Sequence, residues 1–208
     1  MNFMLHLTTI DTTTWLLLKE IFTTAIIRNN FALAGGTSLA LQIGHRKSID
    51  LDIFCTQPFD VKELEIILTT QPNFSFNYIG NNSRMLFANI NNIKCDFVHE
   101  PAKLLEPFII AEGVSYFSVK DIAAMKLHTI CGRGKKKDFF DIYALLQLYS
   151  RETLIEWFTQ KYNDQQLFFL WRSILYFEDA ENDPDIEGYP PFTKNWKEIK
   201  EFITASFS

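Results

Sequence analysis

Between Gly35 and Phe54 the chain sets two glycines and two hydroxyls, Gly35-Gly36-Thr37-Ser38, ahead of the run Ser48-Ile49-Asp50-Leu51-Asp52-Ile53-Phe54. Ile49, Leu51 and Ile53 recur at period two, so the run predicts a strand with one apolar face. Asp50 and Asp52 then share the opposite face, roughly 6–7 Å apart for a rise of about 3.3 Å per residue. Carboxylates at that spacing can converge on one hard cation, or on two cations about 3.5–4 Å apart. Two bare acids on one strand face repel, so the pattern calls for positive charge between them.

What precedes the acids fits an anion. Phe31-Ala32-Leu33-Ala34 is a short apolar strand ending at the glycine pair, and Ser38 to Ile43 predicts a helical turn or two stopped by Gly44. Such a turn offers free N–H groups at its start, where a triphosphate could rest on backbone donors and the helix dipole. A tight strand-to-helix turn is the other reading of Gly35-Gly36, and the acids downstream favour phosphate. Arg46 and Lys47, in the loop before the acids, are either solvated loop charges or phosphate contacts.

The 208 residues suit one large domain or a fused pair of small ones, and 47% hydrophobic residues with 20 Phe supply a packed core. A net charge of −5 argues against a protein that coats nucleic acid in bulk, so polynucleotide contact would need a local basic patch. Cys55, Cys95 and Cys131 are odd in number and lack C-x-x-C spacing, which fits a reducing cytoplasm. The N-terminal stretch has no signal-peptide pattern and no segment reads as membrane-spanning, so a soluble cytoplasmic protein is expected.

Along the rest of the chain, Asp11 and Thr12 can cap a helix running to about Ile27. Asp60 with Glu63 reads as a capping box for a helix from Val61 to Thr70. An antiparallel meander follows: Phe74, Phe76 and Tyr78 alternate, Gly80-Asn81-Asn82 turns, Arg84 to Ile90 runs on, Asn91-Asn92 turns, and Ile93 to Val98 returns. Asp96 lies inside that last apolar strand, where a buried carboxylate needs a partner. Ser118 and Asp121 open a helix through about Cys131, in which Lys126 stands near the apolar stripe of Ile122, Met125 and Thr129. It either snorkels or reaches for anionic groups. Arg133 and Lys135 to Lys137 put four basic residues in five positions, followed by Asp138 and Asp141 on one helical face. Helices then dominate, over Asp141 to Tyr149, Glu152 to Tyr162, Gln165 to Phe177 and Trp196 to Phe202. Their aromatics Trp157, Phe158, Phe168, Phe169, Trp171 and Tyr176 read as a helical core.

Gly36-Thr37, twelve residues, then Asp50-Leu51-Asp52 resembles the first signature of the nucleotidyltransferase superfamily, with its DNA polymerase beta-like fold. The longer wording, Ala34 to Leu41 with Gly44 to Phe54, is similar to the AbiEii/AbiGii toxin family of bacterial toxin–antitoxin and abortive-infection systems. Met125-Lys126-Leu127, Arg133 and Lys137-Asp138-Phe139-Phe140-Asp141 resemble that family's C-terminal motif. The resemblance implies an α+β fold: a mixed, mostly antiparallel sheet flanked by helices over residues 1–115, and a helical region over 116–208 that completes the cleft. It implies Asp50, Asp52 and Asp96 as ligands of Mg²⁺ or Mn²⁺. Gly35, Gly36, Thr37, Ser38, Arg46, Lys126, Arg133 and Lys137 would lie around the NTP, with Asp138 and Asp141 completing the site or pairing with its cations. The usual glycine–serine is glycine–threonine here, with Ser38 next. The implied reaction is transfer of NMP to an acceptor hydroxyl, on RNA such as a tRNA 3′ end, in a toxin with a cognate antitoxin. Transfer to a protein or small molecule, and a noncatalytic binding module, are the alternatives.

Overall fold

The computed structural model describes residues 4–208. Among them one seven-stranded sheet runs in the order β3-β4-β5-β2-β1-β7-β6. Its strands are β1 (Phe31–Leu33), β2 (Leu51–Cys55), β3 (Phe76–Asn82), β4 (Met85–Ile90), β5 (Ile93–His99), β6 (Ile109–Ala111) and β7 (Val114–Tyr116). The pairs β2–β5 and β1–β7 are parallel and the rest antiparallel, which is the mixed, mostly antiparallel sheet the sequence predicts. Asn91 and Asn92 both take positive φ in the β4–β5 hairpin, as a two-residue loop with matching twist requires.

The period of two divides the sheet between two apolar cores. Phe31, Leu33, Leu51, Ile53, Cys95 and Phe97 face the first, with α1 (Thr12–Ile21), α2 (Ala25–Asn30) and α4 (Val61–Thr69). Ala32 and Phe54 face the second, beneath α5 (Val119–Gly132), α6 (Lys136–Leu148), α7 (Arg151–Lys161), α8 (Asp164–Ser173) and α9 (Trp196–Phe207). Between the two lies α3 (Gly35–Ile43), with Leu39 in one core and Leu41 in the other. Asp52 and Asp96, out of phase with the first core, therefore point toward the α5–α9 side.

Several sequence expectations are corrected. The helix from Asp11 breaks after Ile21, where the Thr23 hydroxyl donates to the Glu20 carbonyl and ends the ladder locally. Asp11 is its N-cap as predicted, accepting from Thr14 N–H. The acidic strand starts at Leu51, leaving Ile49 56% exposed, because the Thr37 hydroxyl occupies the Asp50 carbonyl ahead of the strand. Gly80 to Asn82 belong to β3, past a register shift at Tyr78/Gly80, and the turn falls at Ser83–Arg84. The β6–β7 hairpin carries its turn on Glu112 and Gly113, both at positive φ. On α8, Leu170 takes the inner position, so Phe168, Phe169 and Trp171 are exposed, and so is Tyr176 beyond the helix; Phe158 of α7 is buried.

One fully buried carboxylate binds the α5–α7 side together. Asp121 accepts from the Ser118 hydroxyl, from Leu105 N–H and Glu106 N–H, and from Lys161 Nζ at 2.8 Å. Lys161 also donates to the Lys103 carbonyl at 2.9 Å. Removing one partner leaves the other charge buried and alone. Asp121→Ala is therefore expected to cost about 3–5 kcal/mol in a urea-unfolding titration, with the slope of the transition unchanged.

Candidate active site

The cleft opens on the α5–α9 side of the sheet, where β2 and β5 run parallel with Asp52 directly beside Asp96. Asp96 is ion-paired with Lys94, its same-face neighbour two residues back, while its buried Oδ1 lacks a hydrogen-bond partner. Asp50, just ahead of β2, is paired with Lys137 Nζ at 3.3 Å. The Asp52 carboxylate makes no hydrogen bond or ion pair among the described residues. Burial pushes its pKa up, Lys126 pulls it down, and Asp96 raises it further.

The glycine pair exists to let two side chains in. A Cβ on Gly35, whose φ is +64°, would fall 2.0 Å from Asp52 Oδ2. One on Gly36 would fall 2.4 Å from Arg46 Nη2. Both glycines form the first turn of α3, which has no side-chain cap, so its leading N–H groups stay available beside Asp52.

Opposite stands a buried charge network. Asp141 accepts from Arg46 Nε at 2.7 Å and Nη2 at 3.0 Å, a two-pronged grip, and from Lys126 Nζ at 2.6 Å. His45 Nε2 reaches the same carboxylate at 2.7 Å. Lys126 Nζ also donates to Asp138 Oδ1 at 2.8 Å. Burial alone would raise the Asp141 pKa, but Arg46, Lys126 and His45 outweigh it and hold the carboxyl well below its usual range. Burial works against the Lys126 ammonium too, and Asp141 and Asp138 more than restore it. Burial lowers the His45 pKa although Asp141 opposes it.

Gly35, Gly36, Arg46, Asp50, Asp52, Asp96, Lys126, Arg133, Lys137 and Asp138 line one cleft. Thr37, Ser38 and Asp141 lie behind its wall. The Thr37 hydroxyl is buried against the Asp50 carbonyl and Ser48 Oγ at 2.8 Å, and Ser38 Oγ accepts from Gln42, so neither hydroxyl lines the cleft. Lys136 of the basic run is structural, donating to Asp185 Oδ1 at 3.0 Å and the Glu181 carbonyl at 3.3 Å. Lys94 and Ser48 also line the cleft. Lys94 was signalled only by its same-face spacing from Asp96. His45, in the loop between α3 and β2, is fully buried.

Among the described residues no group of three or more His, Cys, Asp or Glu is arranged to grip a metal, and Asp50 and Asp96 are paired with Lys137 and Lys94. The donors nonetheless suit a hard cation. They are all carboxylate oxygens, Asp52 is uncompensated, and one buried oxygen of Asp96 is orphaned.

The fold is that of a nucleotidyltransferase. MenT4, a nucleotidyltransferase toxin from Mycobacterium tuberculosis H37Rv, superposes with a TM-score of 0.51 at 14% identity, over 94% of this chain and 83% of that one. The model of the nucleotidyl transferase AbiEii toxin family (type IV toxin–antitoxin system) matches residues 16–75 and 89–206. The chain therefore belongs to the AbiEii nucleotidyltransferase toxin family. An uncharacterized protein of Aquifex aeolicus (strain VF5), aq_aa25, is 33% identical over 188 residues, 85% of this chain and 86% of that protein. No helix of the described residues is long and apolar enough to cross a membrane.

Asp52 and Asp141 should answer pH in opposite ways. Because folding raises the Asp52 pKa, its ionised form costs stability at neutral pH, and that cost disappears below the unfolded value near 4. Asp52→Asn is expected to raise the thermal midpoint at pH 7 and to lose that advantage below about pH 4. Asp141 is depressed, so its contribution is present above the unfolded value and lost as pH falls through the folded one. Asp141→Asn should lower the midpoint at pH 7, by about 2–4 °C for each kcal/mol lost in a chain of this size. Calorimetry across pH 3–8 reads both.

Proposed function

We propose that the chain transfers NMP from an NTP to an acceptor hydroxyl at this cleft, with Mg²⁺ or Mn²⁺ held by Asp50, Asp52 and Asp96, and with RNA, such as a tRNA 3′ end, as acceptor. The observation that carries the reading is the pairing of Asp52 with Asp96 opposite the uncapped start of α3 and Lys126. A bound divalent cation supplies charge neutralisation at the phosphates and activation of the attacking oxygen.

The chain's own groups do the rest. The leading N–H groups of α3 at Gly35 and Gly36 take phosphate oxygens, helped by the positive end of the helix dipole. Lys126 has three donors, two of them committed to Asp138 and Asp141, and its third is free for phosphate. Arg46, pinned by Asp141 against Gly36, keeps two of its five N–H groups free and adds fixed positive charge beside the α3 terminus. Arg133 and Lys137, at the more exposed rim, meet the polyphosphate or the acceptor backbone. Asp138 and Asp141 position the cations. The acceptor hydroxyl gives up its proton to solvent as its oxygen bonds to the α-phosphorus, the bond to the bridging oxygen breaks, and pyrophosphate leaves with the electron pair.

The cleft encloses ≈ 150 Å³, below the roughly 300–1,000 Å³ usual for drug-sized ligands, so it suits the phosphates and leaves base and sugar in more open ground. An antitoxin partner and action in the cytoplasm complete the proposal. The three cysteines are unpaired, as a reducing compartment allows.

The test is a transfer assay with each labelled NTP, Mg²⁺ and total tRNA. Label is expected on RNA with the wild-type chain and reduced on the order of 10²-fold or more with Asp52→Ala. Gly35→Ala should fail as well, since its methyl displaces the Asp52 carboxylate, whereas Gly132→Ala, where a Cβ meets nothing, should stay active. Absence of label on RNA from folded protein would overturn the RNA acceptor, and label on protein or a small molecule would establish that alternative.

A further inference from the structure

Beyond the cleft, the same two walls continue into a wider groove that none of the proposed chemistry uses. On the sheet side, Val98 follows Asp96 on the same face of β5, and Met85 is its cross-strand partner on β4. On the helix side, His128 stands next to Thr129 and one turn beyond Met125, both of which line the cleft. The groove encloses ≈ 800 Å³, several times the cleft.

Its lining combines free cations with an aromatic step. Arg84 and Lys103 are exposed, and neither side chain makes an ion pair or hydrogen bond among the described residues. The rings of His128 and Tyr162 stack with centroids 4.2 Å apart and planes 11° from parallel. Burial lowers the His128 pKa although Glu100 opposes it. In a chain of net charge −5, Arg84 and Lys103 outnumber the one acid of this lining, Glu100, and leave the groove locally positive beside the stacked rings. A cationic track with a ring step is what holds a single-stranded polynucleotide, backbone on the charges and bases on the rings.

We propose that this groove is the acceptor subsite: a single-stranded RNA end lies along it, with phosphates at Arg84 and Lys103 and a base on the His128–Tyr162 step, and delivers its terminal hydroxyl to the acids. The inference rests on the RNA-acceptor reading above and adds where the strand lies. It also makes the walls of β5 and α5 a single path, one end for chemistry and the other for the substrate's length.

The experiment pairs two measurements on the full chain. Fluorescence anisotropy follows binding of a labelled single-stranded RNA oligonucleotide with a free 3′-hydroxyl, and the transfer assay gives KM for RNA and for NTP. Arg84→Glu and Lys103→Glu, on exposed side chains that fold does not need, are expected to weaken RNA binding and to flatten its salt dependence by about one ion per site. Tyr162→Leu should weaken binding about 5- to 150-fold, the range for a lost base stack. In transfer, each variant should raise KM for RNA with kcat and KM for NTP unchanged. Circular dichroism shows whether Tyr162→Leu is folded, and the charge reversals carry the test if it is not. Equal RNA binding and equal KM in wild type and charge reversals would overturn the groove while leaving RNA transfer standing. No RNA binding and no RNA labelling by the wild type would overturn both.

Discussion

Asp141 is the interaction on which the cleft depends. One carboxylate with no exposure to solvent accepts from Arg46, Lys126 and His45, and so joins the loop ahead of β2 to both α5 and α6. Taking these charges out of water costs several kcal/mol per ion, and only near-complete hydrogen bonding offsets it. With Asp138 included, two carboxylates face one guanidinium and one ammonium. The network therefore balances in charge and keeps its cations in place without substrate. Cations held this way need no reorganisation when phosphate charge develops, which is where fixed donors are worth most. The C-terminal segment reinforces the same point: Tyr189 N–H donates to the His45 carbonyl at 2.8 Å, and Gly188 bridges Arg46.

The acids across the cleft are arranged on the opposite principle. Asp50 and Asp96 each have a lysine that is nearly half exposed, and Asp52 has none. These exposed pairs hold weakly, since solvent screens them and the long side chains lose entropy when fixed. A divalent cation can displace a lysine from such a pair far more readily than it could break into the Asp141 network. The small residues complete the division. Gly35 lets Asp52 approach the α3 terminus and Gly36 lets Arg46 do so, placing an anion-seeking and a cation-seeking surface on consecutive residues.

What the sequence made legible follows from how local each signal is. The period of two in Ile93 to Val98, the caps at Asp11, Asp60 and Ser118, and the Asn91-Asn92 turn all act within a few residues, and each appears where the pattern puts it. Asp50, Asp52, Asp96, Lys126 and Arg133, far apart in sequence, line one cleft. The direction a hydroxyl points is not local. Thr37 turns inward onto the Asp50 carbonyl, a partner thirteen residues on that no local pattern contains. The aromatics of α8 follow a helical stripe, but which side of a helix is buried depends on neighbours that no single-helix pattern contains, and Leu170 rather than the rings faces inward. Within the basic run, Lys136 and Lys137 are adjacent and alike in sequence, yet one is tied to Asp185 and the other to Asp50.

Asp52 and Asp141 also show why burial by itself assigns no role. Desolvation is the largest influence on both and pushes both pKa values up. Asp141 ends low because three donors touch it, and Asp52 ends high because none does and a second acid stands beside it. The difference is a count of partners, and it separates a carboxylate that stabilises the fold from one that the fold carries at a cost. An acid kept in the second condition on a strand of the central sheet is held there by the surrounding core rather than by its own interactions, and a bound cation is the partner that would reverse the sign.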